Sequence, residues 1–281
     1  MSLNKVLSIA GSDTSGGAGI QADLKTFQEL EVYGMTALTT IVAQDPDNDW
    51  FHAVYPQDIN ALKAQLQTVL KGIGVDAAKT GMLGSKEVIE LTAEKVEEFK
   101  VEKLVVDPVM VCKGADEALN PELDQYLRDT LVPKALVVTP NLFEASSIAG
   151  TEPLKTIEDM KQAAAIIYEK GPAYVIIKGG GEIGGDSSTD VFYDGKTFEL
   201  LESPKVDTAF THGAGCTFSA AITAEIAKGV PVREAITLAK QFVHAAISDS
   251  FSLNRYIGPV NHTAYRHHSA KNKKNKSKIP R

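Results

Sequence analysis

The chain has 281 residues, 43% hydrophobic and 23% charged, enough to bury a large core as one α/β domain or two small ones. Its apolar runs end after a few residues, far short of the roughly 20 that span a bilayer, so no membrane partner is expected. The formal charge is −7, and −13 without the six basic residues of 271–281, which argues against nucleic acid as the main partner. That tail has no acid and no apolar periodicity, and is expected to be disordered. Two cysteines far apart give neither a disulfide framework nor metal-ligand spacing. The N-terminus lacks a cationic and apolar leader, so we expect a cytoplasmic protein.

Residues 5–10 predict a first strand, ended by Gly11-Ser12-Asp13. Over 18–31 the apolar positions Ile20, Leu24, Phe27 and Leu30 make a helical stripe. Residues 36–43 are β-branched and apolar, a strand, while Ile59, Leu62, Leu66 and Val69 mark an amphipathic helix. A short strand over 76–80 precedes a helix over 85–99 with Ser85 as its cap. Continuous apolar runs at 104–106, 136–138 and 174–177 suit a parallel sheet covered on both faces. Residues 190–193 and 197–201 flank Asp194-Gly195 and predict a small β-hairpin. Helices over about 216–228 and 232–250 complete the body. With no repeat, linker or composition break before the tail, we expect one domain over 1–268.

The stretch Phe210-Thr211-His212-Gly213-Ala214-Gly215-Cys216-Thr217 turns through two glycines into a helix start. Unpaired N–H groups and the positive end of the helix dipole make an anion site there, phosphate above all. Cys216 sits in that field, so its thiol is expected to ionise more easily than a free one and to serve as a base. A Gly-rich turn holding a buried, inert cysteine is the other reading.

In open parallel sheets, ligands bind beyond the carboxyl ends of the strands. After the first strand, 11–19 is Gly-rich but does not match G-x-G-x-x-G, which excludes a dinucleotide fingerprint. Asp23, one turn into the following helix, is expected to accept a substrate hydroxyl, or else to be a surface carboxylate near a helix N-terminus. Asp107 with Asn141 and Glu144, three apart on one helix face, forms an oxygen-rich cluster suited to Mg²⁺. Asn141 as N-cap with Glu144 as its capping-box partner is the structural alternative, and the two roles are compatible. Lys178, at a strand end beside Gly179-Gly180-Gly181, is placed to reach phosphate oxygens, or is a solvated loop lysine.

These residues carry a resemblance. The run Ala10-Gly11-Ser12-Asp13 through Ser15-Gly16-Gly17-Ala18-Gly19-Ile20-Gln21-Ala22-Asp23 resembles the opening signature of the hydroxymethylpyrimidine and pyridoxal kinases, of the ribokinase-like superfamily. Thr80-Gly81-Met82, Val106 to Met110, Thr139 to Glu144, Lys178-Gly179-Gly180, Gly213 to Cys216 and Gly258-Pro259-Val260 resemble later motifs in the same order. The likeness covers nearly everything before the tail. It implies a ribokinase-like α/β fold, a mostly parallel sheet with helices on both faces and a small hairpin. It also implies transfer of phosphate from ATP, with Mg²⁺, to the hydroxymethyl group of a small aromatic heterocycle. By the same resemblance Cys216 replaces the superfamily's aspartate base beside Gly213 and Gly215. Asp107, Asn141 and Glu144 handle Mg²⁺ and its waters. Asn141, Lys178, Thr211 and Gly213 bind ATP. Gly11, Asp23, Gln44, Met82 and Val109 form the substrate pocket.

The chain looks most like pyridoxal kinases of the two-cysteine kind, because Cys112 precedes a loop, Lys113-Gly114-Ala115-Asp116, placed to act as a lid. Cys112 is expected to capture the aldehyde of pyridoxal as a hemithioacetal, or to be a small buried hydrophobe. Gln44 resembles the amide that reads the aminopyrimidine in thiamine-pathway kinases. We therefore expect a homodimeric pyridoxal kinase of vitamin B6 salvage that also accepts hydroxymethylpyrimidine. The alternatives are a hydroxymethylpyrimidine/phosphomethylpyrimidine kinase and a ligand-binding regulator without turnover.

Overall fold

Short apolar runs separated by helical stripes leave each strand two faces to cover, and one sheet with helices on both sides satisfies all of them. The computed structural model describes residues 3–110, 121–183 and 185–268. Its strands are β1 (Lys5–Asp13), β2 (Tyr33–Asp45), β3 (Phe51–Pro56), β4 (Ala77–Thr80), β5 (Leu104–Val106), β6 (Val137–Val138), β7 (Tyr174–Lys178), β8 (Ser187–Tyr193) and β9 (Phe198–Pro204). They form one sheet in the order β3-β2-β1-β4-β5-β6-β7-β8-β9. The run from β2 to β7 is parallel. β3 adds antiparallel at one edge. The expected hairpin, β8 and β9, continues the sheet antiparallel beyond β7.

The helices are α1 (Gly19–Glu29), α2 (Ile59–Leu66), α3 (Lys86–Glu98), α4 (Pro121–Tyr126), α5 (Leu142–Ala149), α6 (Ile157–Tyr168), α7 (Ala214–Ala227) and α8 (Val232–Ser248). Strand side chains alternate between two cores. Leu104, Val106 and Val138 pack with residues of α2, α3, α5 and α6. Val105, Val137 and Ile176 face α7 and α8, with α1 alongside them through Phe27. Helix α7 is buried from Thr217 to Ala227, and its Ala220, Ala221 and Ala224 are small enough for α1 and α8 to approach closely.

Three elements were not expected: β3, α4 and α6. Yet α6 has a clear start, with Thr156 as N-cap, Asp159 closing a capping box, and Met160, Ala163, Ala164 and Ile167 on its buried side. β3 is short, half-exposed and defined only by its pairing with β2. Cys112, the loop after it and the tail 271–281 lie outside the described residues. Among the described residues, no helix is long and apolar enough to cross a membrane.

The topology positions the site. From β1 the chain moves to β2 on one side and returns through β4 on the other, so the strand order reverses at β1. A crevice at the carboxyl ends of β1 and β4 follows from that reversal.

Candidate active site

Two cavities lie at the carboxyl ends of the strands. The larger, about 620 Å³, is walled by Phe143, Val206, Phe218, Val243 and Ile247, with Lys178, Lys205 and Lys240 as its cations. The smaller, about 260 Å³, lies over the ends of β1, β4 and β5. Asn141, Lys178, Thr211, Ala214 and Gly215 line both, so the two meet at that point. One chamber fits a nucleotide, the other a small ring, and the junction is where a group would pass between them.

The anion-hole turn forms one side of the junction. Gly213 is the N-cap of α7 with φ +81°, a left-handed conformation that favours glycine. A Cβ there would stand 1.8 Å from the carbonyl oxygen of Gly17, so the Gly-rich loop after β1 rests directly on the turn. Ala214 N turns back to Thr211 O at 3.1 Å, and the next residues of the helix start, Gly215 and Cys216, line the smaller cavity at the junction.

Opposite the turn, Lys178 Nζ donates to Asp107 Oδ1 at 2.9 Å. Thr139 Oγ1 also donates to Oδ1 at 3.1 Å, and Ser219 Oγ donates to Oδ2 at 3.1 Å. Burial works against a charged lysine, but Asp107, Glu144 and Cys216 hold the Lys178 ammonium above its ordinary range. Asn141 caps α5 and forms the full capping box with Glu144: Glu144 N donates to Asn141 Oδ1 and Asn141 N to Glu144 Oε2, each at 2.8 Å. Burial pushes the Glu144 carboxyl up to about 7, against the pull of Lys178 and with the push of Asp107.

A second Asp–Lys pair lies beneath the smaller cavity. Lys79 Nζ donates to Asp23 Oδ1 at 2.8 Å, Ser8 Oγ donates to Oδ2 at 2.6 Å, and both charged side chains are 0% exposed. Burial raises the Asp23 carboxyl, with Lys79 and Ser8 opposing. Burial lowers Lys79, but Asp23, Cys216 and Asp107 more than offset it and keep the ammonium charged.

A family model described as phosphomethylpyrimidine kinase matches residues 13–261. The chain belongs to that family. It is 59% identical to the pyridoxine kinase of Bacillus subtilis (strain 168), over 95% of this chain and 98% of the relative. To the hydroxymethylpyrimidine/phosphomethylpyrimidine kinase of the same bacterium it is 40% identical, over 96% of this chain and 98% of the relative. An ADP complex of Bacillus subtilis pyridoxal kinase superposes with a TM-score of 0.92 at 59% identity, covering 94% of this chain and 99% of that one.

Within this family fold, Gly11, Asp23, Gln44, Met82, Asp107, Val109, Asn141, Glu144, Lys178, Thr211, Gly213, Gly215 and Cys216 all line the smaller cavity. Cys112 is the one expected site residue outside the described segments. Two expectations need correction. Cys216 does not ionise easily here: it is half-buried at the cavity, and burial, with the charges of Asp23 and Asp107, outweighs Lys79 and the Gly19 backbone amide and lifts the thiol to about 11. Asp23 is not a surface carboxylate: it is fully buried, with one oxygen accepting from Lys79 and the other from Ser8, and it borders the smaller cavity. The capping box of Asn141 and Glu144 is real, so neither group stands idle as a ligand.

Asp13, Lys79 and His212 were missed. Asp13 and His212 touch across 199 positions of sequence, which no local pattern reveals. Lys79 had a readable signal, a lone cation inside the apolar strand Ala77-Ala78-Lys79-Thr80. Among the described residues, no three His, Cys, Asp or Glu side chains converge on one point. Asp107 and Glu144, both at the smaller cavity beside the junction, supply the one or two carboxylates that Mg²⁺ would take alongside phosphate oxygens and water.

Proposed function

We propose that the protein is a pyridoxal kinase, transferring the γ-phosphoryl group of ATP to the hydroxymethyl oxygen of pyridoxal, within one catalytic unit over 1–268. The observation that carries this is the junction: a nucleotide-sized cleft and a ring-sized cavity meet at Lys178, Gly215 and the start of α7. The higher identity to the pyridoxine kinase than to the pyrimidine kinase, 59% against 40%, favours the B6 substrate.

The acceptor ring occupies the smaller cavity with Gln44, Met82 and Val109 on its walls, its hydroxymethyl group toward Cys216. ATP fills the larger cleft with its phosphates on the α7 amides and Lys178. Phosphoryl transfer needs little covalent help, so the chain's work is positioning and charge stabilisation. The amides and Lys178 take up charge on the moving phosphoryl oxygens. Cys216 Sγ, in its minor thiolate form, accepts the proton of the hydroxymethyl group as the new O–P bond forms. Asp107, Asn141 and Glu144 would hold Mg²⁺ through its waters, and bound there it would neutralise phosphate charge.

Gln44 supports a second substrate at the same site, hydroxymethylpyrimidine, whose amino edge an amide can meet. The same reading carries a cytoplasmic homodimer, which fractionation and sedimentation would check. Specificity constants for pyridoxal, pyridoxine and hydroxymethylpyrimidine, measured side by side, test the assignment. Pyridoxal should lead. A larger constant for hydroxymethylpyrimidine would move the protein to thiamine synthesis, and ligand binding with no ADP release would make it a regulator.

A further inference from the structure

Asp13, at the end of β1, is 5% exposed and gathers donors from three separate segments. From its own loop, Ser15 N donates at 2.9 Å and Ala18 N at 2.8 Å. From the end of β2, Gln44 Nε2 donates to Oδ1 at 2.8 Å. From the anion-hole segment, His212 Nε2 meets Oδ2 at 2.7 Å. Burial alone would raise this carboxyl, but His212, Ser15 and Gln44 hold it well below the usual carboxylate range.

His212 is itself fixed. It is 7% exposed, its N–H donates to Gly258 O at 3.1 Å, and its carbonyl accepts from Val260 N at 3.2 Å. The next residue is Gly213, where α7 begins. The Gly-rich loop closes the circuit, since a Cβ on Gly17 would stand 2.3 Å from His212 Cδ2. The acceptor loop and the phosphate loop therefore bear on each other at one buried, charge-assisted hydrogen bond.

We propose that Asp13 and His212 are positioning residues that hold the anion-hole turn in register with the acceptor cavity. Both border the acceptor cavity, and the role assigned to them is positioning rather than contact with the reacting atoms. Their effect is on the alignment of acceptor oxygen and phosphoryl group, where a misplacement of an ångström costs about 10²-fold in rate. For its kinetic part the proposal rests on the kinase reading above.

The test compares His212→Phe, which keeps the ring shape but cannot donate to Asp13, with His212→Gln, whose amide places a donor near the same spot. His212→Phe should lower kcat by about 10²-fold with KM for ATP within about threefold, and His212→Gln should recover at least about a tenth of wild-type kcat. Asp13→Asn combined with His212→Phe should cost less than the product of the two single losses, because the two variants share the His212–Asp13 contact, although Asp13→Asn also disturbs the bonds to Ser15, Ala18 and Gln44. Hydrogen exchange gives a readout independent of which acceptor is used. In His212→Phe the amides of 213–216 should exchange at least about 10-fold faster while those of β4 and β5 keep their protection. Multiplying effects in the double variant, equal kcat for Phe and Gln, unchanged exchange at 213–216, or faster exchange spread through the strands would each overturn the proposal. An inactive wild type with the local exchange pattern intact would instead overturn the kinase reading and leave the coupling standing.

Discussion

Asp23–Lys79 and Asp107–Lys178 are the same chemical pair at nearly the same separation, 2.8 and 2.9 Å, with their lysines on β4 and β7 of one sheet. The first is closed to solvent, with both side chains at 0% although they border the smaller cavity, and the second leaves Lys178 17% exposed at the mouth of two cavities. That difference separates their work. A sealed pair has no alternative partner, so it sets the field under the acceptor cavity and holds α1 against β4. A pair with an open face can exchange its carboxylate for phosphate oxygens when these arrive. Charge alone makes neither pair functional; access does.

The sharpest break of this comparison is Lys79→Met. It strands a buried carboxylate, and unfolding in denaturant should show a loss of about 3–5 kcal/mol. Replacing Asp23 as well, as Asp23→Leu with Lys79→Met, should recover much of that loss. Lys178→Met should lose less than half as much stability, because the cleft admits water to its end of the pair. It should instead lower kcat by about 10²–10³-fold, as for removal of one charge-stabilising donor.

Cys216→Ala should lower kcat near neutral pH by about 10²-fold and leave ATP binding nearly intact. With the thiol at about 11, wild-type kcat should climb with pH through the alkaline range, and the climb should vanish in Cys216→Ala. A flat wild-type profile would remove Cys216 as the base.

Most strands were legible because they are short β-branched runs, and the capping box at Asn141 and Glu144 because its spacing is local. The site residues that were legible lie at strand ends beside glycine or proline, where chain punctuation marks them. What was not legible depends on burial and on distant pairing. The helix start before Cys216 announces a dipole that favours thiolate, but the opposing burial, joined by the charges of Asp23 and Asp107, comes from packing that sequence order does not reveal. Asp13 and His212 read separately as loop residues, and only the fold makes them a pair.

A smaller effect concerns Glu144. Its folded pKa is raised from 4.5 to about 7, so between those values the native state binds more protons than the unfolded chain. Its contribution is fully present below about 4.5 and is lost as pH rises through 7. Relative to Glu144→Gln, the stability of the wild type should therefore weaken across that window by on the order of 3 kcal/mol. A parallel pair of profiles would show that the carboxyl is not raised.

The smallest effect belongs to a third pair of the same kind. Lys134 and Glu97 meet at 2.6 Å but are 31% and 74% exposed. Lys134→Ala should change stability by less than about 1 kcal/mol, and salt should erase the difference. A larger, salt-resistant loss would mean that exposure does not order these pairs.

The junction of the two cavities is tested most directly by Mg²⁺-dependent ADP release from ATP, with and without pyridoxal, in wild type and in Lys178→Met. The wild type should release ADP only when pyridoxal is present, in step with phosphorylated pyridoxal, and Lys178→Met should lose at least about 10²-fold of that rate while remaining folded. ADP release that ignores pyridoxal, or that survives Lys178→Met, would contradict transfer across this junction.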